Sequence, residues 1–346
     1  MAQSLPDTYK VWRLKRRPQG IIQDGDLELD EVPMPPLQDG EVRVQTLYLS
    51  LDPTDRIWMS DRKQYMPPVP LDQPMRGPIV GRVVESRQPG LQPGDNVEGT
   101  PQIELGHWAD YLVGKEGDFR LVPRHNELPL VDYFGQMAIV APTAYIGLME
   151  IATPKAGETL VVSTAAGAVG SIVGQIGKIL GCRTVGIAGS DEKCQWVTDE
   201  LGLDACLNYK TDNLEARLEA ACPDGIDVYF DNVGGPILDT VLGQMNNFGR
   251  IAQCGTISDY NAATPPPGPT NYPLILMRRL TVRGFIVLDH PERYQEAVSE
   301  VTKWILEGKI KFRQHIVDGI ENAVEAVKML YRGENQGKLL VRVAPE

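Results

Sequence analysis

After Pro142 the sequence alternates short apolar runs with stretches of helical spacing, and few folds accommodate that rhythm. Residues Thr159–Ser163, 184–188, 228–230, 250–254 and 281–287 lack the in-and-out alternation of a half-exposed strand. They read as strands buried on both faces, which is the pattern of a parallel sheet. Between them, 171–180 and 192–201 have helical spacing, and Ser190 supplies a hydroxyl suited to capping the second. The expectation is an α/β unit: a doubly wound parallel sheet covered by helices on both faces. The Pro-rich stretch 264–273 suits neither a helix interior nor a central strand and is expected to be a stiff exposed loop. Further on, a helix is expected through Leu306, another from Ile320, and a last strand over 338–343.

The first 125 residues are patterned differently. Runs at 41–46, 79–84 and 111–113 are separated by turn signals such as Gln92-Pro93-Gly94-Asp95 and Pro67-Pro68, as in an antiparallel sheet or barrel. With 346 residues the chain is long enough for two domains, and a cleft where they meet is an expected place for a ligand.

Composition removes several function classes. A net charge of −12 repels a phosphate backbone, so no nucleic-acid partner is expected. No stretch approaches about 20 uninterrupted apolar residues, and 1–17 has no apolar run behind its charges, so no membrane partner and a cytoplasmic location are expected. Cys182, Cys194, Cys206, Cys222 and Cys254 contain no C-x-x-C pair and fit reduced thiols. His107, His125, His290 and His315 are far apart and lack zinc-ligand spacing, so no metal is expected.

The strongest local signal is Thr164-Ala165-Ala166-Gly167-Ala168-Val169-Gly170-Ser171, directly after one expected strand and before a helix. Small residues there let the backbone approach a pyrophosphate, whose charge faces the amides and positive dipole end of the helix. At the end of the next strand, where NAD-binding chains present an acidic residue, this chain has Gly189-Ser190 with Lys193 close behind. Without a carboxylate to repel a 2′-phosphate, and with an ammonium to neutralise it, NADP(H) is favoured over NAD(H). The plain alternative for Lys193 is a solvated surface lysine.

These residues, together with Phe230-Asp231-Asn232-Val233-Gly234-Gly235, the run from Cys254 to Asn261, Pro266-Pro267-Gly268-Pro269, Tyr48-Leu49-Ser50-Leu51-Asp52-Pro53 and Gly333-Glu334-Asn335-Gln336-Gly337-Lys338, resemble the zinc-independent medium-chain dehydrogenase/reductase superfamily. The resemblance spans nearly the whole chain and is narrowest to the leukotriene B4 12-hydroxydehydrogenase, prostaglandin reductase and curcumin reductase branch. It implies a GroES-like mostly-β catalytic domain over 1–125, a Rossmann NADP-binding domain over 126–312, and a segment, 313–346, returning to the first. It also implies a homodimer joined edge to edge through the strand at 281–287. By matching motif, Ala168, Val169, Gly170 and Ser171 face the pyrophosphate, and Gly189, Ser190, Lys193 and Tyr209 the adenosine phosphate end. Asn232, Cys254, Thr256, Ser258, Tyr260, Phe285, Ile286 and Val287 line the nicotinamide half, with Asn335 near the cofactor. Tyr48, Asp52, Thr54, Asp55, Arg56 and Tyr65 lie in the substrate-facing part. The chain departs from the family's Asp-Pro-Tyr-Met-Arg at Thr54 and Asp55, which puts its substrate range in question.

Without a zinc Lewis acid, the substrate must need little activation, and a small hydrophobic enone or enal satisfies that requirement. Hydride addition to its β-carbon places charge on the carbonyl oxygen, where hydrogen-bond donors stabilise an enolate. Tyr260, just past the apolar run 250–254, is the candidate donor, helped in the family picture by the cofactor ribose. The α-carbon proton comes either from solvent or through Tyr260. Competing readings are a quinone or carbonyl reductase, a zinc-free alcohol dehydrogenase, and a non-catalytic NADPH-binding protein.

Overall fold

A computed structural model of the chain describes residues 5–100, 106–123, 127–211 and 213–346. His125 and the domain bound expected at 125 lie outside the described residues. Along the chain the strands are β1 Thr8–Leu14, β2 Leu27–Pro33, β3 Val42–Leu51, β4 Ile79–Ser86, β5 Asn96–Gly99, β6 Tyr111–Gly114, β7 Phe119–Leu121, β8 Thr159–Ser163, β9 Arg183–Ala188, β10 Ala205–Asn208, β11 Ile226–Asp231, β12 Met245–Gln253, β13 Thr281–Gly284, β14 Gln314–Asp318 and β15 Lys338–Arg342. The α-helices are α1 Asp55–Trp58, α2 Leu130–Met137, α3 Val140–Ile146, α4 Ala168–Ile179, α5 Asp191–Asp199, α6 Leu214–Ala221, α7 Gly235–Leu242, α8 Pro273–Met277, α9 Pro291–Leu306 and α10 Ala323–Arg332. The chain divides into two compact units. One is Met1–Phe134 with His315–Glu334 and Leu339–Glu346, and the other is Gly135–Gln314 with Asn335–Lys338.

The first unit is built on a seven-stranded sheet ordered β14-β15-β3-β4-β5-β7, with β6 also paired to β3, beside a β1-β2 ribbon. Its β3–β4, β3–β6, β4–β5, β5–β7 and β3–β15 pairs are antiparallel. β3 is the spine because almost every one of its side chains is buried, from Val42 to Leu51. Trp108 packs here with no exposed surface.

The second unit carries a six-stranded parallel sheet ordered β10-β9-β8-β11-β12-β13. Counted within the unit this is 3-2-1-4-5-6, and the chain reverses direction across the sheet beside β8, where ligands bind at the carboxyl edge. Leu160, Val161 and Val162 are fully buried, each contributing roughly 1.5–3 kcal/mol of apolar burial. Two expectations need correction. Residues 205–208 form an edge strand that their short, mixed sequence concealed. The strand expected over 281–287 stops at Gly284 and is exposed along its length, because it is the opposite edge and is covered on neither face.

The helical run Leu130–Ala152 is long and apolar enough to cross a membrane by length and composition, but 78% of its apolar window is buried inside the protein, as in a core helix. It ends in a π-helical turn, Gly147–Ala152. The loop at 264–268 is exposed as expected, while Pro273 opens α8 from its first turn, where a missing amide hydrogen costs nothing.

Candidate active site

In the second unit β8 runs into a turn whose Thr164 has a left-handed backbone, φ 51°. For a β-branched residue this conformation costs about 1–3 kcal/mol. The Thr164 carbonyl accepts from the Gly167 amide at 2.8 Å, and Ala165 donates to Ile187 on β9 at 3.0 Å. α4 then starts with Gly167 as N-cap and no capping side chain. Its first-turn amides, on Ala168, Val169 and Gly170, are therefore presented at a positive helix end. A Cβ on Gly170 would stand 2.3 Å from the Thr164 carbonyl oxygen, so only glycine lets helix and turn close together. Ser171 turns its hydroxyl onto the Ala168 carbonyl at 3.0 Å.

The chain's late segment completes this turn. Gly337 donates to the Ala166 carbonyl at 3.0 Å and forms a parallel bridge with Gly167. Asn335 bonds the Gly337 carbonyl through Nδ2 at 2.9 Å, and Gln336 reaches Glu192 on α5 at 2.7 Å. Asn335 is thereby beside the turn.

At the end of β9, Ser190 Oγ accepts from the Lys193 amide at 3.2 Å and caps α5 as its sequence position suggests. A Cβ on Gly189 would meet the Tyr209 ring at 3.3 Å, its hydroxyl at 3.5 Å and the Lys210 Cε at 3.6 Å. Burial and the nearby Lys210 ammonium hold the Lys193 ammonium below the ordinary lysine range. Two lysines and a tyrosine thus gather around Gly189. Lys210 was missed at the sequence level, because its position depends on β10; its signal was adjacency to Tyr209.

At the carboxyl end of β11 a fully buried Asp231 organises the neighbouring loop. Its Oδ1 accepts from the Val233 and Gly234 amides, both at 2.9 Å, and from the Tyr229 hydroxyl at 2.8 Å; its Oδ2 accepts from Gln253 at 2.9 Å. Asn232 ties this loop to β8, donating from its backbone amide to Ser163 Oγ at 2.9 Å and from Nδ2 to the Ser163 carbonyl at 2.8 Å. Gly234, at φ 70° and ψ −151°, adopts a conformation essentially confined to glycine.

After β12, Cys254 donates its amide to the Asp231 carbonyl at 2.8 Å. Burial and the Asp231 charge push its thiol up to about 12, leaving it neutral at physiological pH. Ser258 Oγ bonds the Val233 carbonyl at 2.7 Å. The Thr256 amide donates to the Tyr260 hydroxyl at 3.2 Å, and that hydroxyl lies 3.1 Å from the place a Cβ on Gly255 would occupy. Phe285 stands edge-on to Phe230 with centroids 6.2 Å apart and closes on Gly147 of the π turn. Ile286 is extended and half-buried, and Val287 opens a short 3₁₀ turn.

In the first unit, Tyr48 is buried and its hydroxyl donates to Glu346 at 3.0 Å; burial and that carboxylate push it up to about 12. Asp55 is fully buried and accepts the Asp52 amide at 3.0 Å, while Asp52 accepts the Ser50 hydroxyl. Arg56 is buried too, donating to the Pro18 carbonyl at 2.8 Å and the Gly20 carbonyl at 3.0 and 3.2 Å. Asp55 and Arg56 therefore have definite work in the local fold. Thr54 and Tyr65 pair hydroxyl to hydroxyl at 2.6 Å on the exposed side of this segment. Among the described residues, no group of three or more His, Cys, Asp or Glu side chains is arranged to hold a metal.

Residues 10–122 match a family model described as the N-terminal domain of oxidoreductase, and 168–303 one described as zinc-binding dehydrogenase. The chain is 43% identical to NADPH-dependent curcumin reductase of Escherichia coli over 340 residues, covering 96% of each chain. It is 42% identical to prostaglandin reductase 1 of Bos taurus over 338 residues, covering 96% of this chain and 98% of the relative. Its structure superposes on that of CurA from Vibrio vulnificus in complex with NADPH with a TM-score of 0.91 at 39% identity, covering 97% of this chain and all of the other.

Proposed function

The chain belongs to the zinc-independent medium-chain dehydrogenase/reductase family, in the curcumin and prostaglandin reductase branch, and on that premise we propose that it saturates the C=C bond of α,β-unsaturated ketones and aldehydes with NADPH. It is an NADP-dependent oxidoreductase. The residues fit that cofactor. The uncapped first turn of α4 and the close approach at Gly170 suit a pyrophosphate, and the pair Lys193 and Lys210, with Tyr209, suits a 2′-phosphate.

The reading rests on one observation above the rest: the Tyr260 hydroxyl accepts the Thr256 amide on the loop that follows β12, at the carboxyl edge where the phosphate turn also lies. NADPH, when bound, supplies hydride. The chain's own task is to hold the carbonyl and stabilise the charge that develops on its oxygen. A phenol that accepts from a backbone amide is a better donor through its own O–H, because the two hydrogen bonds polarise one another. Tyr260 donates that proton to the enolate oxygen. Ser163 and Asp231 keep Asn232 and Gly234 in place, and with Cys254, Thr256, Ser258, Phe285, Ile286 and Val287 these form the nicotinamide surroundings in this reading.

We propose further that two copies pair through β13. It is an exposed edge strand, and Phe248, Tyr272, Leu276, Met277 and Val282 near it are between 43% and 74% exposed. Sedimentation should show a dimer that Val282→Asp dissociates; a wild-type monomer removes this part.

The reaction is tested by NADPH oxidation with an aliphatic enone, a quinone, and, with NADP, a secondary alcohol. The expected product from the enone is the saturated ketone with its carbonyl retained. An allylic alcohol, turnover confined to the quinone or alcohol, or no turnover at all overturns the proposal.

A further inference from the structure

Two thiols outside the reaction lie beside the two-lysine site. Cys194 is in the first turn of α5, next to Lys193, and its amide donates to the Ser190 carbonyl at 3.0 Å. Cys206 is on β10 in register with Gly186, and its Sγ lies 3.2 Å from the place a Cβ on Gly186 would occupy. Val197, three residues along α5 from Cys194 and on the same helix face, meets the same Gly186 position with its Cγ1 at 3.2 Å, so Cys206 lies against the face of α5 that carries Cys194. Both residues are half-buried, whereas Cys182 and Cys222 are buried. We propose that Cys194 and Cys206 form an oxidation-sensitive dithiol whose disulfide disables the adenosine-phosphate site built on the same helix turn. This rests on the assignment of Lys193 and Lys210 to the NADP(H) 2′-phosphate.

The two thiols have different roles. Interaction with Cys206 holds the Cys194 thiol below its usual range, while interaction with Cys194 and burial push the Cys206 thiol up. Cys194, in the first turn of α5 beside Lys193, stands at the positive end of a helix and is the nucleophile; Cys206, on β10, is the resolving thiol. The Cys194 thiolate attacks hydrogen peroxide; an S–O bond forms, the O–O bond breaks, and the departing hydroxide takes up a proton to become water. The Cys206 sulfur then attacks the Cys194 sulfenic acid. An S–S bond forms, the S–O bond breaks, and hydroxide leaves with the Cys206 proton as a second water. Two thiols are oxidised and one peroxide is reduced.

The coupling is mechanical. A disulfide draws the two sulfurs from non-bonded separation to about 2.05 Å. Cys194 cannot move without the turn that carries Lys193 and is capped by Ser190. The lysine is then out of register with Tyr209 and Lys210. Losing one charge-assisted contact corresponds to about a tenfold loss of NADPH affinity.

The full chain is oxidised with hydrogen peroxide and read in two independent ways: peptide mapping of the thiols, and NADPH binding by fluorescence. The expected result is two fewer free thiols than the five of the sequence, a mapped Cys194–Cys206 bridge, and a roughly tenfold weaker NADPH affinity reversed by dithiothreitol. NADH affinity should change less. Cys206→Ser should remove both the bridge and the reversible loss, leaving Cys194 as a sulfenic acid that dimedone captures. Absence of the bridge, or a bridge with unchanged NADPH affinity, overturns the inference. A reduced protein that does not bind NADPH overturns the function proposed above; the thiol map still decides whether the dithiol forms.

Discussion

The amide of Gly337 donates to the carbonyl of Ala166 at 3.0 Å, so the last turn of chain before β15 is hydrogen-bonded to the glycine-containing turn that follows β8. Gly337 has φ 67°, and a Cβ there would stand 2.0 Å from the Arg313 carbonyl oxygen. Gly337→Ala should displace residues 335–338 from the turn. We expect a stability loss of about 1–3 kcal/mol in denaturant melts and NADPH binding weakened by about tenfold. Unchanged NADPH affinity would show that this segment is not part of the binding turn.

Lys193 and Lys210 should separate the two dinucleotides. Lys193→Ala and Lys210→Ala are each expected to raise KM for NADPH by about one to two orders of magnitude while moving KM for NADH by less than about threefold. Equal effects on both cofactors would detach the lysines from the 2′-phosphate.

The depressed Lys193 ammonium gives this preference a pH dependence. Its charge is present below its lowered pKa and is lost, as pH rises, earlier than on an ordinary lysine. The ratio of KM for NADPH to KM for NADH should therefore climb on the alkaline side at a lower pH than an ordinary lysine would give. Lys193→Arg should flatten the climb, since guanidinium keeps its proton there. The same steep profile in the arginine variant would assign the titration to another group.

Tyr260→Phe removes the proposed enolate donor and leaves the ring. A fall in kcat of about a hundredfold is expected, with the dissociation constant for NADPH within about twofold of the parent. Turnover of an enone within about twofold would end the assignment.

Arg56 is a different case, buried and bonded to the Pro18 and Gly20 carbonyls. Lysine cannot reproduce that fork. Arg56→Lys should cost about 1.5–3 kcal/mol of stability and leave kcat/KM of the folded fraction within about twofold. A large specific loss of kcat/KM at full stability would instead place Arg56 against substrate.

The second unit was legible because parallel strands buried on both faces are written as uninterrupted apolar runs, and because the turn after β8 lies wholly within a few consecutive residues. Ser190 could be read as a cap for the same reason: an N-cap bond spans three residues. Edge strands were harder. β10 is only four residues long, with Leu207 as its one large apolar side chain, and β13 was overextended because apolar residues on an exposed edge look like those of a core.

Local sequence thus determined the strand-turn-helix, the missing acidic residue at the end of β9, and the phenol beyond β12, since each depends on neighbours along the chain. Only tertiary structure decided that Lys210 joins Lys193, that Gly337 meets Ala166, that Cys206 faces Cys194, and that Arg56 is tied to the 18–20 loop. These relationships join residues far apart in sequence, or depend on which strands lie side by side. Such pairings are set by how the whole sheet buries its apolar faces, and no short window of sequence records that free energy.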